Sequence, residues 1–207
     1  MKNPLTQHIT GETTEVSVAR QLSATGLIAE KPVPDNGIDL NVRLPVLCSP
    51  VVKVQIKGRG SNQKNKKYRW FQIRTTSAQR KRAVLAGLHP ADTWEKKVRM
   101  CDFFVLVAQR YDEFWVLPQD DVIAIGKANR EVYGNRADNR TGKQAELDLD
   151  VSVNGEPLTD VYAQQCNAFH LIKEELQRRM TEQMSAHYSK PLSRFGKCDS
   201  SVSQKKT

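Results

Sequence analysis

Apolar and polar residues change period several times along the chain, and each change predicts an element. Near the N-terminus, Val18, Ala19 and Leu22 recur at helical spacing and share one face. The run Thr10-Gly-Glu-Thr-Thr-Glu15 before them has the capping hydroxyls and early acids of a helix start, and Gly26 supplies a stop. From Ile38 the period becomes two. Ile38, Leu40, Val42 and Leu44 alternate with Asp39, Asn41 and Arg43, which predicts a half-buried strand. Pro45, Ser49 and Pro50 then lead to a second alternating run, where Val52, Val54 and Ile56 face one way and Lys53, Gln55 and Lys57 the other. The two runs read as a hairpin.

Further along, Gly58 to Lys67 is polar, basic and glycine-containing, and is expected to be an exposed loop before a short strand at Arg69 to Arg74. Ser77 is a candidate cap for a basic helix ending at Gly87, and a second short helix is expected after Pro90. Asp102 to Gln109 and Phe114 to Leu117 are apolar, aromatic-rich strands, expected to form a second hairpin at the heart of the sheet. Residues 126 to 144 show no sustained period and read as a long loop or inserted surface element. A last strand is expected within Ala145 to Val153, with Asn154-Gly155 as a turn. Val161, Phe169, Ile172, Leu176 and Met180 then define a C-terminal helix.

Length and composition turn this string of elements into one expected unit. A chain of 207 residues, 39% hydrophobic, can bury one core with peripheral elements. We expect a single domain over residues 1–188, with its core at about 10–125 and its last helix at about 158–187, followed by a polar tail at 189–207. The apolar runs are strand-length, so no membrane span is expected, and with no apolar signal region at the N-terminus the expectation is a soluble, cytoplasmic protein. Cys48, Cys101, Cys166 and Cys198 lack C-x-x-C spacing, and His8, His89, His170 and His187 stand alone, which argues against a zinc site or a histidine-based centre.

Charge placement says more than the net charge of +9. Between Leu40 and Ala91 there is no Asp or Glu, yet twelve Lys and Arg residues fall there, so the remainder of the chain is net acidic. One contiguous basic segment is what a phosphate-binding face needs for counterion release to drive association. A solvated basic surface is the plain alternative.

Within that frame one set of residues carries possible chemistry. Gln55 and Lys57 lie on the same side of one strand, Asp39 lies on the polar side of its neighbour, and a helix packed across that face would add Glu15. Phosphodiester hydrolysis uses hard oxygen ligands for a divalent metal and an ammonium that orients water and offsets developing charge. Asp39 offers an anionic oxygen, Gln55 an amide oxygen and Lys57 a cation. An exposed strand face with Asp, Gln and Lys is also common in proteins without such chemistry, so spacing alone leaves both readings open.

The segments Gly11-Glu-Thr-Thr-Glu15-Val-Ser-Val-Ala-Arg-Gln-Leu22, Pro34-Asp-Asn-Gly-Ile-Asp39-Leu and Val52-Lys-Val-Gln55-Ile-Lys57-Gly-Arg together resemble the PD-(D/E)XK nuclease superfamily. The similarity is greatest to its Q-x-K variants of homing-endonuclease or defence type, and its specific part covers about residues 11–59. The resemblance implies an α/β, restriction-endonuclease-like core, a central mixed β-sheet flanked by helices. It implies a catalytic set of Glu15, Asp39, Gln55 and Lys57, with Glu15, Asp39 and Gln55 holding Mg²⁺ or Mn²⁺. DNA is the expected partner, with RNA an alternative. Cleavage of both strands of a duplex would favour a homodimer or higher oligomer. Lys53, Arg59, Lys64, Lys66 and Lys67 are the candidate nucleic-acid contacts. Two features depart from the common pattern. Gln55 stands where an acid is usual, and Asp35 competes with Asp39 for the acidic position, the latter fitting the strand better. A nucleic-acid-binding module without cleavage activity is the alternative function.

Overall fold

In the computed structural model, residues 4–33, 37–59, 67–134 and 140–188 are described. The first helix, α1 (Pro4–Ala24), is longer than its apolar stripe predicted. It ends as expected at Gly26, whose φ of +81° an L-residue rarely adopts. There Leu27 N–H donates to Leu22 O (3.1 Å) and Gly26 N–H to Ser23 O (3.0 Å), the two bonds of a Schellman cap.

Next come β1 (Ile28–Glu30), β2 (Leu40–Arg43) and β3 (Val52–Arg59). After β4 (Trp70–Arg74), α2 (Ser77–Leu85) and a single turn α3 (Glu95–Val98), the chain forms β5 (Phe103–Ala108) and β6 (Glu113–Pro118). The central sheet has the order β1-β2-β3-β5-β6, with β3 and β5 parallel and every other neighbouring pair antiparallel. Both expected hairpins form. The second, however, reaches the edge of the sheet through β6, and only β5 is interior. The three-residue β1 carries no alternation long enough to read and was missed.

Each face of the sheet has its own core. Val52, Val54 and Ile56 of β3 pack with Leu40, Val42, Val105, Val107 and Val116 beneath α1 and the final helix α6 (His170–Tyr188), which contribute Val18, Leu22, Ile172 and Leu176. The opposite face is covered by α3, by α4 (Gln119–Tyr133) and by a two-stranded sheet of β4 with β7 (Gln144–Asp148). There Phe104, Leu106 and Leu117 meet Phe71, Ile73, Trp94, Ile125 and Leu147. The molecule is thus a mixed α/β fold with a central mixed sheet flanked by helices, as the fold class was expected to be.

Three expectations are corrected. The segment read as loop from residue 126 continues α4 as far as Tyr133. Gly126 and Asn129 obscured the helix because both are poor helix formers, but tertiary contacts require them. A Cβ on Gly126 would lie 2.6 Å from the Trp94 ring, and the buried Asn129 side chain bonds Ile125 O and both the N–H and C=O of Asp148. Second, the C-terminal helical pattern is interrupted. A short α5 (Leu158–Val161) and a 3-10 turn precede Asn167, which has φ +58° and exchanges bonds with the Phe114 backbone before α6 begins. Third, Ile38 is buried with Phe104 and Cys101 on the face opposite Leu40 and Val42, because the regular strand starts only at Leu40. The strand read at Ala145–Val153 is β7 plus β8 (Ser152–Val153), which pairs with β9 (Glu156–Pro157) around the anticipated Asn154-Gly155 turn. Both turn residues have positive φ.

Candidate functional site

The alternation of β3 decides what can gather. Since Val52, Val54 and Ile56 face the α1 side, Lys53, Gln55 and Lys57 lie on the other, beside Phe104 and Leu106 of the parallel strand β5. The β2–β3 ladder runs to Leu40↔Val54, continued by Asp39 N–H donating to Val54 O at 3.0 Å. Just beyond, Ile56 N–H is taken by the Asp39 carboxylate, with Oδ2 at 2.6 Å. Asp39 is therefore fixed against β3 between Gln55 and Lys57 by its own side chain.

Gln55 is 2% exposed. Its Nε2 donates to Gly37 O at 2.8 Å, which sets the amide's orientation, since the flipped form would oppose two acceptors. Gly37 has φ +86°, the bend that brings its carbonyl under the side chain. With Nε2 so committed, Oε1 is buried and accepts no hydrogen bond from any group among the described residues. Buried acceptors are normally paired, and an orphan costs about 1–3 kcal/mol. Gln55 directly precedes Ile56, whose N–H the Asp39 carboxylate accepts.

The site also contains a residue that sequence reading missed. Lys97, on α3, donates from Nζ to Arg74 O at 2.8 Å. Burial holds its ammonium below the usual lysine value, the Lys57 charge pushes it further down, and Asp39 and Cys101 partly oppose this. Lys97 thus lies within electrostatic reach of both Lys57 and Asp39. Nothing in the sequence marked it, because the short helix expected after Pro90 gave no sign of which of its lysines would be drawn inward. Cys101 is buried here too, its thiol pushed up to about 12, by burial first and then by the Asp39 carboxylate.

The other sequence candidates separate. Glu15 belongs to α1, on the far face of the sheet. That helix crosses β3 at Gly58, where a Cβ would sit 2.6 Å from Thr14 Oγ1, but Glu15 turns its carboxylate to Lys31 (3.0 Å). Lys53 is exposed at the start of β3, its backbone N–H held by Asp102 Oδ2 at 2.7 Å. Arg59 and Lys67 are tied to each other: Arg59 Nε donates to Lys67 O (2.9 Å), and the Arg59 guanidinium lies 4.8 Å over the Trp70 ring. Lys67 Nζ bonds Asp148 Oδ2 (2.8 Å) and Tyr133 OH (2.7 Å), and those bonds raise its pKa. Both residues anchor chain against the β4–β7 sheet. Lys64, Lys66 and Asp35 lie outside the described residues, as does the tail from 189.

Could a divalent cation be held here? Among the described residues, no three His, Cys, Asp or Glu side chains cluster as a ligand set. The oxygen donors at this part of β3 are the Asp39 carboxylate, held on Ile56 N–H, and the Gln55 Oε1, which has no partner among the described residues. Such a sparse all-oxygen set fits Mg²⁺, which keeps several waters and completes its shell with substrate phosphate oxygens. None of the described helices is long and apolar enough to cross a membrane.

The class that fold and site define is a helix-flanked mixed sheet whose strand β3 carries an amide oxygen and a lysine on one face, with a carboxylate held against its backbone. No family model matches the chain, and no curated protein matches it. Among solved structures it is similar to a bacterial homing endonuclease, I-Ssp6803I, at 17% identity and a TM-score of 0.45, over 89% of this chain and 99% of that one. A likeness that distant says nothing of activity.

Proposed function

We propose that the protein is a divalent-metal-dependent endonuclease that hydrolyses phosphodiester bonds in DNA, a member of the PD-(D/E)XK superfamily in its Q-x-K form. One observation carries the reading: the buried, undonated Oε1 of Gln55 beside the anchored carboxylate of Asp39, with Lys57 next along the same strand face. These are the groups that metal-assisted phosphoryl hydrolysis requires, and buried acceptors are normally paired.

In this reading Asp39 and Gln55 are the protein's ligands for Mg²⁺ or Mn²⁺. Bound there, the ion would polarise the phosphodiester and lower the pKa of an attacking water. Asp39 is pre-set by its bond from Ile56 N–H, and Gln55 by its bond to Gly37 O, so neither needs reorganisation to present oxygen. Lys57 holds the attacked phosphate and offsets the charge that develops on its oxygens. The acid-free segment from Leu40 to Ala91, which holds Gln55 and Lys57, supplies long-range attraction for the polyanion.

Incubation of duplex DNA with Mg²⁺ and wild-type protein, Asp39→Ala or Lys57→Ala tests this directly. Cleavage by the wild type and loss of about 10²-fold or more in either variant is expected. Equal cleavage by all three would sink the assignment. A second reading, nucleic-acid binding without cleavage, is favoured by the ion pair of Glu15 with Lys31, which leaves Asp39 as the site's carboxylate. Calorimetric titration with Mg²⁺ and Mn²⁺ separates the two, since binding that disappears in Asp39→Ala supports the enzyme.

A further inference from the structure

Of the nine residues of α2 only Ala83 is buried. A helix this short is marginal in water and ordinarily forms by packing an apolar face. Here its ends hold it instead. At the start, the Thr76 hydroxyl accepts from Gln79 N–H (3.2 Å) and the Gln79 side chain accepts from Thr76 N–H (2.9 Å), a capping box. At the end, Leu88 N–H donates to Ala83 O (3.1 Å) and Gly87 N–H to Val84 O (2.9 Å), with Gly87 at φ +87°. Fixed in this way, α2 leaves nearly its whole circumference to solvent. That circumference is cationic. At about 100° per residue, Lys81 lies opposite the buried Ala83, with Arg82 and Arg80 on the two flanks. Arg80 bonds neutral oxygens, Thr75 O (3.0 Å) and Ser77 Oγ (3.2 Å), and the side chains of Lys81 and Arg82 have no partner among the described residues. Two more cations adjoin the start of the helix: Lys97 Nζ donates to Arg74 O at 2.8 Å, and the Arg74 guanidinium is held on Gln72 Oε1 at 2.7 Å. An exposed run of charge is usually solvated and nothing more, but its pairing sets this one apart. Elsewhere Arg43, Arg69, Arg130 and Arg179 each pair with a carboxylate. Like charges gathered without a carboxylate repel one another in the free protein, and a polyanion reverses that relation.

We propose that α2, with Arg74 and Lys97 beside its start, is a DNA-backbone contact of this protein, in which Arg80, Lys81 and Arg82 take phosphates of a duplex. Cations spread around a helix suit phosphates, which position a duplex without reporting its sequence. A lipid surface fits less well, because an interfacial helix needs an apolar face and α2 exposes only Val84 and Leu85 as large hydrophobics. The proposal rests on DNA as the substrate in the reading above and names a surface that would carry it. That surface replaces Arg59 and Lys67, whose cations are committed to Trp70, Asp148 and Tyr133.

Fluorescence anisotropy with a fluorescein-labelled DNA duplex, in EDTA and over about 50 to 200 mM salt, reads the number of phosphates neutralised. In the double variant Lys81→Gln with Arg82→Gln, the slope of log K against log salt should be shallower by about 1.8. Binding should be about tenfold weaker or more at the lower salt, alike for two duplexes of unrelated sequence. Lys81→Arg with Arg82→Lys should keep the wild-type slope, which shows that charge and not folding is what the first pair loses. Arg178→Gln, which removes an exposed cation paired with Glu175 and Glu182 on α6, should leave the slope unchanged. A wild-type slope in the glutamine pair, or an equal loss in Arg178→Gln, overturns the inference while leaving the nuclease reading intact. So does binding to phosphatidylserine vesicles that needs Lys81 and Arg82 when DNA binding does not. The shallower slope beside absent cleavage in Mg²⁺ supports the inference and removes the nuclease reading. Absence of salt-dependent binding by the wild type overturns both.

Discussion

Replacing Gln55 by glutamate puts an acid at this buried position, and the structure predicts a penalty when no metal is present. The side chain is 2% exposed, and its Nε2 lies 2.8 Å from Gly37 O. In Gln55→Glu an ionised carboxylate would put an acceptor against that carbonyl, beside the Asp39 carboxylate. A protonated carboxyl could donate to Gly37 O and keep the geometry. Holding that proton at pH 7 against an unfolded-state pKa of about 4.3 costs about 3.7 kcal/mol, which is the ceiling on the penalty. Lys57, on the same face, offsets part of it. We expect a loss of about 2 to 4 kcal/mol at pH 7 in EDTA, or about 5 to 15 °C in Tm for a chain of this size. The folded pKa of the new carboxyl is raised, so the native state is unpenalised below about pH 4.3 and loses stability as pH rises through the folded value. Melting curves of wild type and variant between pH 4 and 8 should therefore diverge upward in pH. Millimolar Mg²⁺ should recover more Tm in the variant than in the wild type, because an anionic ligand binds the ion more tightly. If Gln55→Glu is as stable as wild type at pH 7 in EDTA, the described environment of Gln55 is wrong. If the variant loses stability but Mg²⁺ rescues it no better than wild type, the pocket does not hold the ion.

Two further predictions concern the supports of the site. Gly58→Ala places a Cβ 2.6 Å from Thr14 Oγ1 and 3.2 Å from Thr14 Cβ, so α1 must move off β3. A loss of about 1–3 kcal/mol in chemical denaturation is expected, most of it recovered by adding Thr14→Ala, and an additive double variant would refute the contact. Cys101, whose thiol is pushed up to about 12, keeps its proton when folded while the unfolded thiol ionises near 9. Its contribution to stability is thus complete below about pH 9 and is lost as pH rises toward 12. In EDTA, Cys101→Ala should start less stable but fall less steeply over that range, and native Cys101 should resist a thiol reagent that labels the exposed Cys48. Parallel alkaline limbs, or labelling of both thiols at equal rates, would count against this burial.

The local periods were enough to place the strands that carry the candidate site. Strict alternation in Val52 to Lys57 put Gln55 and Lys57 on one face, and an apolar-polar switch at Ile38 to Arg43 identified the neighbouring strand, because one buried face fixes register at period two. The turn at Asn154-Gly155 and the stops at Gly26 and Gly87 were legible because positive φ selects few residues. Tertiary structure decided the rest. Whether α4 continues past residue 126 depended on Trp94 needing the space at Gly126, and whether the last helix breaks depended on Asn167 finding the Phe114 backbone. Both are contacts between residues far apart in sequence, which no local period encodes. The same holds for the site. The sequence supplied Asp39, Gln55 and Lys57 as candidates, but only packing turned Glu15 to Lys31, tied Arg59 and Lys67 to the β4–β7 sheet, and left Gln55 Oε1 without a donor among the described residues.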